Sequence, residues 1–180
     1  MNHYFETCPG WFDYPEIFNL AISQAVDGDT LVETGTWFGA SACYMGVEII
    51  NSGKKLKFIT IDNDTKYEEY ADFPGALISR SEKILENIKP LKCVKYINGD
   101  SLLEAGKFKD GSLRMVFLDA LHEYWFVAKE LEAWFSKVMP GGIFAGHDVC
   151  FPGVKQAVDE FTQRHNLTYK IIGSSWLITI

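Results

Sequence analysis

The feature that most constrains this chain is a strand, a glycine turn and a helix that follow one another between residues 31 and 50. The apolar strand ends in Glu33, the turn runs from Gly35 to Gly39, and a helix-forming run begins at Ala40. Glycines let the backbone approach a ligand, and the first turn of a helix offers unpaired N–H groups to it. The spacing is E-x-G-x-x-x-G-x-S rather than the dinucleotide fingerprint G-x-G-x-x-G, so we predict a nucleotide-type ligand without a pyrophosphate.

Strand-like and helix-like runs alternate along the whole 180-residue chain. Five strand–helix units and a closing β-hairpin predict one α/β domain over residues 1–180, with a Rossmann-like, doubly wound, mostly parallel sheet of seven strands. We expect an antiparallel C-terminal strand at the edge of this sheet and helices on both faces. The predicted strands span residues 30–33, 56–62, 94–98, 112–119, 143–147, 167–172 and 175–180. The predicted helices span residues 15–26, 40–51, 76–88, 101–106, 123–138 and 154–164, with a turn at 139–142.

Composition argues against several classes of partner. The formal net charge is −7 and no cluster of Lys and Arg alternates with aromatic residues, which argues against nucleic-acid binding. No apolar run approaches the roughly 20 residues that a membrane helix needs. The N-terminus has neither the basic nor the apolar region of a signal peptide. The four cysteines lack CxxC spacing and are expected to be free thiols, so we predict a cytoplasmic protein.

Polar residues follow each of the first five predicted strands, where open α/β sheets bind their ligands. They are Glu33, Asp62, Asp100, Asp119 and the pair His147-Asp148. Asp62 is placed to accept hydrogen bonds from both hydroxyls of a ribose, or else to cap the next helix. Asp100 is placed to contact an adenine amino group, to cap its own helix, or to do both. Glu33 either lies close to the ligand or is a buried acid that satisfies N–H groups of the turn.

Three further motifs carry a resemblance to a known family. They are VFLDALHEY (116–124), MPGGIFAGHD (139–148) and GVKQAVDEF (153–161). With ETGTWFGAS and the acids after the second and third strands, they resemble class I S-adenosylmethionine-dependent methyltransferases, in particular the small-molecule O-methyltransferase branch. The resemblance covers roughly residues 31–161, and Trp37 stands where the wider superfamily often has a glycine. It implies S-adenosylmethionine as the cofactor, contacted by Glu33, Gly35, Thr36, Trp37, Gly39, Ser41, Asp62, Asp100, Ser101 and Asp119.

The resemblance also implies the chemistry, which is methyl transfer to a hydroxyl of a small molecule such as a sugar or a polar metabolite, with a catechol or an amine left open. Asp119, His147 and Asp148 are the implied ligands of Mg²⁺ or another divalent cation. His147 stands where a carboxylate is usual, so it either favours Mn²⁺, Fe²⁺ or Zn²⁺ or contacts the substrate. Asp119 and His122 are the implied catalytic residues, with His122 as general base unless it is only a capping or surface residue. Tyr124 either orients the substrate or packs on its helix.

Several alternatives stay open at this point. The N-terminal segment, residues 1–14, is rich in aromatic residues that form a substrate lid, a homodimer contact or ordinary core packing; the aromatic set is Tyr4, Phe5, Trp11, Phe12 and Tyr14. Three other functions compete with methyl transfer. They are an NAD(P)-dependent oxidoreductase, which the glycine spacing disfavours, a non-catalytic module that binds S-adenosylmethionine or a metal, and a metal-dependent hydroxylase-like relative on the same scaffold.

Overall fold

The computed structural model describes residues 1–63 and 79–180. Within these residues the strands are β1 Thr30–Thr34, β2 Lys57–Asp62, β3 Val94–Asn98, β4 Leu113–Leu118, β5 Val138–Gly146, β6 Lys170–Ile172 and β7 Ser175–Thr179. The helices are α1 Pro15–Gln24, α2 Ala40–Ser52, α3 Arg80–Ile88, α4 Ser101–Ala105, α5 Tyr124–Phe135 and α6 Pro152–His165, preceded by a short 3-10 turn at Phe5–Thr7. Residues 76–78, where the third helix is predicted to start, lie outside the described residues; the described helix begins after Ser79, whose hydroxyl caps it.

The described strands form one sheet in the order β3-β2-β1-β4-β5-β7-β6. Strands β1 to β5 are parallel, and β7 is antiparallel to both β5 and β6. This confirms the predicted seven-stranded, mostly parallel Rossmann-like sheet. The predicted antiparallel C-terminal strand is confirmed as β7, but it lies one position inside the edge, which β6 occupies. The physical reason is burial: four of the five residues of β7 are buried, whereas β6 is short and largely exposed.

Side chains from the two faces of the sheet build two separate cores, because successive residues of a strand point to opposite faces. Leu31 and Phe117 pack with α1 and α2, while Val32 and Val116 pack with α5 and α6. Helices therefore cover both faces, as predicted. Among the described residues, no helix combines the length and the hydropathy that crossing a bilayer requires.

The largest local error of prediction concerns residues 136–142. The sequence predicts a helix to Val138 followed by a turn, but α5 ends at Phe135 and β5 already begins at Val138. Val138 pairs with Leu113, and the next pair is Ile143 with Met115, so the extra residues form an irregularity within the strand. A proline and two glycines are typical of a turn, and here they make a bulge in a continuing strand instead. The carboxyl ends of β1, β2, β4 and β5 then meet at one edge of the sheet, where the candidate site lies.

Candidate active site

The glycine turn after β1 is packed against the end of β4. Gly35 has φ +87°, and a Cβ placed on it would lie 1.8 Å from the carbonyl oxygen of Asp119. The first glycine is therefore required by the sheet itself, in addition to any role in admitting a ligand. Gly39 has φ +89° and begins α2. Trp37 also has a left-handed backbone, with φ +50°, a conformation that a glycine would adopt without strain.

Asp62, at the end of β2, holds the turn in place. Its Oδ2 accepts hydrogen bonds from the backbone N–H groups of Thr36 (2.9 Å) and Trp37 (2.8 Å). Its Oδ1 accepts one from the Arg80 guanidinium at 2.6 Å, and that guanidinium lies 5.2 Å from the centre of the Trp37 ring. Ser79 caps α3, and the segment after Asn63, where the alternative cap role of Asp62 is predicted, lies outside the described residues. Sequence reasoning missed Arg80, which carries no motif.

Glu33 is fully buried beside this turn. Its Oε2 accepts a hydrogen bond from the Thr60 hydroxyl at 2.7 Å. Ser41 lies close to the carboxyl group, and Oε1 accepts no hydrogen bond from the part of the chain that the structure describes. Burial raises the pKa of Glu33 to about 8, against the opposing effects of Ser41 and Thr60. Glu33 is thus a buried acid, as one of its two predicted roles requires, but the N–H groups of Thr36 and Trp37 donate to Asp62 instead.

A second buried acid, Glu130 of α5, lies beside Thr34 at the carboxyl end of β1, and Asp100 and Ser101 are its neighbours. Asp100 caps α4 by accepting from the N–H of Leu103 at 3.0 Å, which confirms its capping role. The next residue, Ser101, is buried and lies with Thr34 beside Glu130 of α5. Burial raises the pKa of Glu130 to about 7. Sequence reasoning missed Glu130, although its place three residues after the apolar helix position 127 was a signal that it faces the core.

Four titratable side chains meet at the ends of β4 and β5. His122 Nε2 lies 2.8 Å from Asp148 Oδ2, and the His122 ring stacks on Phe151 at 4.7 Å. His147 Nδ1 lies 3.4 Å from Asp119 Oδ1 and 3.3 Å from Asp148 Oδ2. The structure thus brings together all four residues that the sequence predicts for catalysis and metal binding.

The electrostatics of this acid/base cluster (Asp119, His122, His147 and Asp148) follow from burial and from these contacts. Burial raises the pKa of Asp119, while the contact with His147 opposes the rise. Burial disfavours the charged form of His147, but Asp119 and Asp148 outweigh it and raise the His147 pKa to about 11. Burial also opposes the charge of Asp148, yet its two histidine partners hold its pKa well below the usual range. The hydrogen bond that His122 donates to Asp148 raises the pKa of His122. His122 is therefore a stronger base than a free imidazole, and it lies beside Asp148, which stays ionised at neutral pH.

Two residues of the N-terminal segment enter the same cluster, and sequence reasoning assigned them no such role. The Tyr14 hydroxyl donates to Asp119 Oδ2 at 2.9 Å, and Asp13 Oδ1 lies 2.8 Å from His147 Nε2. Tyr124, predicted as a possible substrate contact, instead donates to Glu160 of α6 at 2.5 Å. Trp11 is 80% exposed, while Tyr4, Phe5, Phe12 and Tyr14 pack on the core.

The cluster also offers ligand atoms for a cation, in a set that differs from the predicted one. Within the described residues, Asp119, His122 and Asp148 place one ligand atom each within 4.8 Å of one another. His147 is not part of this set, and its role as a metal ligand stays a prediction; its Nδ1 faces the carboxylates of Asp119 and Asp148. Two carboxylates and one imidazole suit Mn²⁺, Fe²⁺ or Zn²⁺ better than Mg²⁺, because Mg²⁺ prefers a shell made only of oxygen ligands.

Comparisons with known proteins show the family and the fold of this chain. A family model described as a methyltransferase domain matches residues 32–149. Similar solved structures include the O-methyltransferase NovP, at 19% identity and TM-score 0.64 over 92% of this chain and 78% of that chain. CalS11, a TDP-rhamnose 3'-O-methyltransferase of calicheamicin biosynthesis, has 13% identity and TM-score 0.62 over 92% and 76%. A SAM-dependent O-methyltransferase from Thermotoga maritima has 17% identity and TM-score 0.58 over 94% and 66%. The comparison with curated protein sequences gives no match.

Proposed function

Because the chain belongs to the family of methyltransferase domains, we propose that it transfers a methyl group from S-adenosylmethionine to a hydroxyl of a small molecule. The observation that carries this proposal is the matched region itself, which runs from the glycine turn to Asp148 and so contains the whole acid/base cluster. We propose that residues 1–180 act as one domain, since the N-terminal segment contacts the cluster directly.

The cofactor would lie across the carboxyl ends of β1 and β2. The predicted contacts are Glu33, Gly35, Thr36, Trp37, Gly39, Ser41, Asp62, Asp100, Ser101 and Asp119. We propose that a ribose hydroxyl approaches Asp62 at Oδ1, which accepts from Arg80, rather than at Oδ2, which accepts two backbone N–H groups. Cofactor binding would therefore bring the ribose into competition with Arg80, or into a shared hydrogen-bond network with it.

The proposed reaction is an in-line displacement at the methyl carbon of the sulfonium. The acceptor oxygen forms the new C–O bond, the C–S bond breaks, and S-adenosylhomocysteine leaves as a neutral thioether. His122 takes the proton of the acceptor hydroxyl, and Asp148, 2.8 Å away, stabilises the imidazolium that forms. Asp119 and His147 orient the reacting groups, and proximity supplies much of the rate.

We propose a sugar or another polar metabolite as the acceptor, and no nucleic acid, because the formal net charge is −7. CalS11, which shares the fold, is described as acting on TDP-rhamnose. We place the reaction in the cytoplasm, since all four cysteines are free. The exposed Trp11 is available to cover an acceptor or to contact a second copy in a homodimer. Light scattering of wild type and Trp11→Ala would separate these two roles.

A metal-assisted reaction is the second candidate, favoured by the ligand atoms of Asp119, His122 and Asp148. A bound divalent cation lowers the pKa of the acceptor hydroxyl and offsets the charge of the two acids. If these residues bind Mn²⁺ or Mg²⁺, either ion should raise the melting temperature, and Asp119→Asn should abolish the rise. No metal-dependent shift, together with activity that survives EDTA, would leave the metal-free reaction.

The decisive test is calorimetric titration with S-adenosylhomocysteine and, separately, with NAD, followed by an acceptor screen with isotopically labelled S-adenosylmethionine. We expect saturable binding of S-adenosylhomocysteine alone and transfer of label to a hydroxyl compound. Tight binding without transfer to any acceptor would favour the non-catalytic module. Binding of NAD alone would favour the oxidoreductase, and oxidation of the acceptor by O₂ in the presence of Fe²⁺ would favour the hydroxylase-like relative.

A further inference from the structure

We infer that Asp13 and Tyr14, at the end of the N-terminal segment, are positioning residues that fix the acid/base cluster for methyl transfer. This inference rests on the proposed function and deepens it, because it makes the end of the N-terminal segment part of the active site. The two residues are neighbours in sequence, yet they reach the ends of two different strands, β4 and β5.

The Tyr14 hydroxyl fixes the orientation of the Asp119 carboxylate at the end of β4. Its side chain is 3% exposed, and its ring lies 4.5 Å from Phe117 and 5.3 Å from Phe18, centre to centre. With the ring packed between these aromatic side chains, the hydroxyl donates to Asp119 Oδ2 at 2.9 Å. Burial raises the pKa of Tyr14 well above its usual value, so the hydroxyl is a donor throughout the neutral range.

Asp13 fixes His147 in the same way from the solvent side. Its Oδ1 lies 2.8 Å from His147 Nε2, and its Oδ2 accepts from the Ser174 hydroxyl at 2.8 Å. The Ser174 oxygen also lies 2.8 Å from His147 Nε2, so Asp13 and Ser174 hold this nitrogen together. The other ring nitrogen of His147 faces Asp119 and Asp148. An imidazole with carboxylate oxygens at both nitrogens satisfies them best with an N–H at each, and in that state the ring cannot flip or rotate without losing a hydrogen bond.

Both oxygens of Asp119 are therefore held through the N-terminal segment. Oδ2 is held directly by Tyr14, and Oδ1 faces His147, which Asp13 holds. The alternative is that these contacts only attach the segment to the protein. That attachment already exists elsewhere: Phe12 packs on the core, and Cys8 is buried against Cys43, with 3.7 Å between the two sulfur atoms. The polar contacts of Asp13 and Tyr14 therefore serve to orient the Asp119 carboxylate and the His147 ring.

The N-terminal segment also contacts the glycine turn that follows β1. A Cβ on Gly10 would lie 2.7 Å from the Trp37 ring, so the backbone of the segment lies directly on that ring. At its other end, Pro15 begins α1, whose Ile17 and Phe18 are fully buried. Residues 10 to 14 are thus held between the turn and α1, and a shift of the segment would move Asp119 and Trp37 together.

The experiment compares full-length Tyr14→Phe and Asp13→Asn with two matched controls. Tyr4→Phe removes a hydroxyl from the same segment, one that donates to the Asn87 carbonyl at 2.8 Å. Asp110→Asn removes an exposed carboxylate that pairs with Lys137. Tyr14→Phe keeps the buried ring, and Asp13 is 61% exposed, so both variants should fold.

Three quantities are measured: S-adenosylhomocysteine affinity, kcat and KM for the acceptor, and the ring ¹⁵N signals of the four histidines. We expect kcat to fall about tenfold to a hundredfold in both variants, with KM and cofactor affinity within about twofold of wild type. Asp13→Asn should move the ring signals of His147 and leave those of His165 unchanged. Both controls should match wild type in every measurement.

The outcomes separate this inference from the proposed function. An active wild type whose Tyr14→Phe and Asp13→Asn variants keep its kcat would overturn the inference alone. A wild type that binds S-adenosylhomocysteine but methylates no acceptor would overturn the proposed function, and the histidine signals would still decide the positioning contacts. If Tyr14→Phe does not fold, Asp13→Asn, whose side chain is 61% exposed, tests the inference by itself through kcat and the His147 signals. Unchanged His147 signals in Asp13→Asn would also refute the inference.

Discussion

Replacing Glu33 with glutamine should stabilise the folded protein at neutral pH. Glu33 is fully buried, and burial raises its pKa from 4.5 to about 8. In the unfolded chain the same carboxyl ionises near 4.5, so the folded state binds one more proton than the unfolded state between these two values. Stability therefore falls as pH rises through this window, and it is fully retained below it. Glutamine keeps the shape and an acceptor oxygen for Thr60, but it has no proton to lose and therefore stays uncharged as pH rises.

The size of the effect follows from the width of this window. Each pH unit between 4.5 and about 8 removes about 1.4 kcal/mol of unfolding free energy. At pH 7 the wild type has thus lost about 3 kcal/mol through Glu33 alone. For a chain of 180 residues this corresponds to a melting temperature roughly 6–12 °C higher in Glu33→Gln than in wild type. At pH 4.5 the two proteins should be nearly equal in stability.

The assay is urea unfolding of wild type and Glu33→Gln at several pH values from 4.5 to 8, with Glu6→Gln as a control at an exposed glutamate. The difference between the two unfolding free energies isolates Glu33, since Glu130, Asp119 and His147 titrate in both proteins. S-adenosylhomocysteine affinity is measured in parallel. If Glu33 contacts the cofactor, as we propose, the stabilised variant should bind it less tightly, as is common when a strained group is functional.

Two results would refute this reasoning. A Glu33→Gln protein that is equally or less stable than wild type at pH 8 would show that the carboxyl is ionised at little cost in the folded state. An unfolding free energy difference that stays constant from pH 4.5 to 8 would show that the effect of the substitution is unrelated to ionisation. A stabilised variant with unchanged cofactor affinity would remove Glu33 from the cofactor site and leave the electrostatic argument intact.

Three further predictions address the turn and the base. Asp62→Ala should weaken S-adenosylhomocysteine binding about tenfold or more in calorimetry, since it removes a charged acceptor and frees the turn N–H groups; unchanged affinity in a folded variant would contradict its ribose role. Gly35→Ala should lower the melting temperature far more than Gly28→Ala, because φ is positive at both but a Cβ meets a backbone oxygen at 1.8 Å only at Gly35; equal losses would count against the packing argument. His122→Ala should lower kcat while cofactor affinity is kept, and the acid limb of the wild-type pH–rate profile should lie above pH 6.5, since Asp148 raises the His122 pKa. A wild-type kcat in that variant would leave His122 without a role as base.

The prediction of the site was most accurate where one short stretch of chain decides the geometry. Asp119, His122, His147 and Asp148 follow two parallel strands directly, and parallel strands present their carboxyl ends at the same edge of a sheet. Asp100 caps α4 because a cap is a contact over three residues. Prediction failed where two distant segments compete for one role. Asp62, not Glu33, accepts the turn N–H groups, because only its side chain lies under the turn once β2 has paired with β1.

By itself the sequence determined the alternation of strands and helices, the sheet class and the edge of the sheet where the polar residues gather, because periodicity and glycine spacing are local properties of the chain. Tertiary structure alone decided the rest. It placed β7 inside β6, since the more apolar strand gains more from burial, and it turned the predicted turn at 139–142 into part of β5. It also joined Tyr14 to Asp119 across 105 residues, a contact that requires α1, β4 and the N-terminal segment to have packed first.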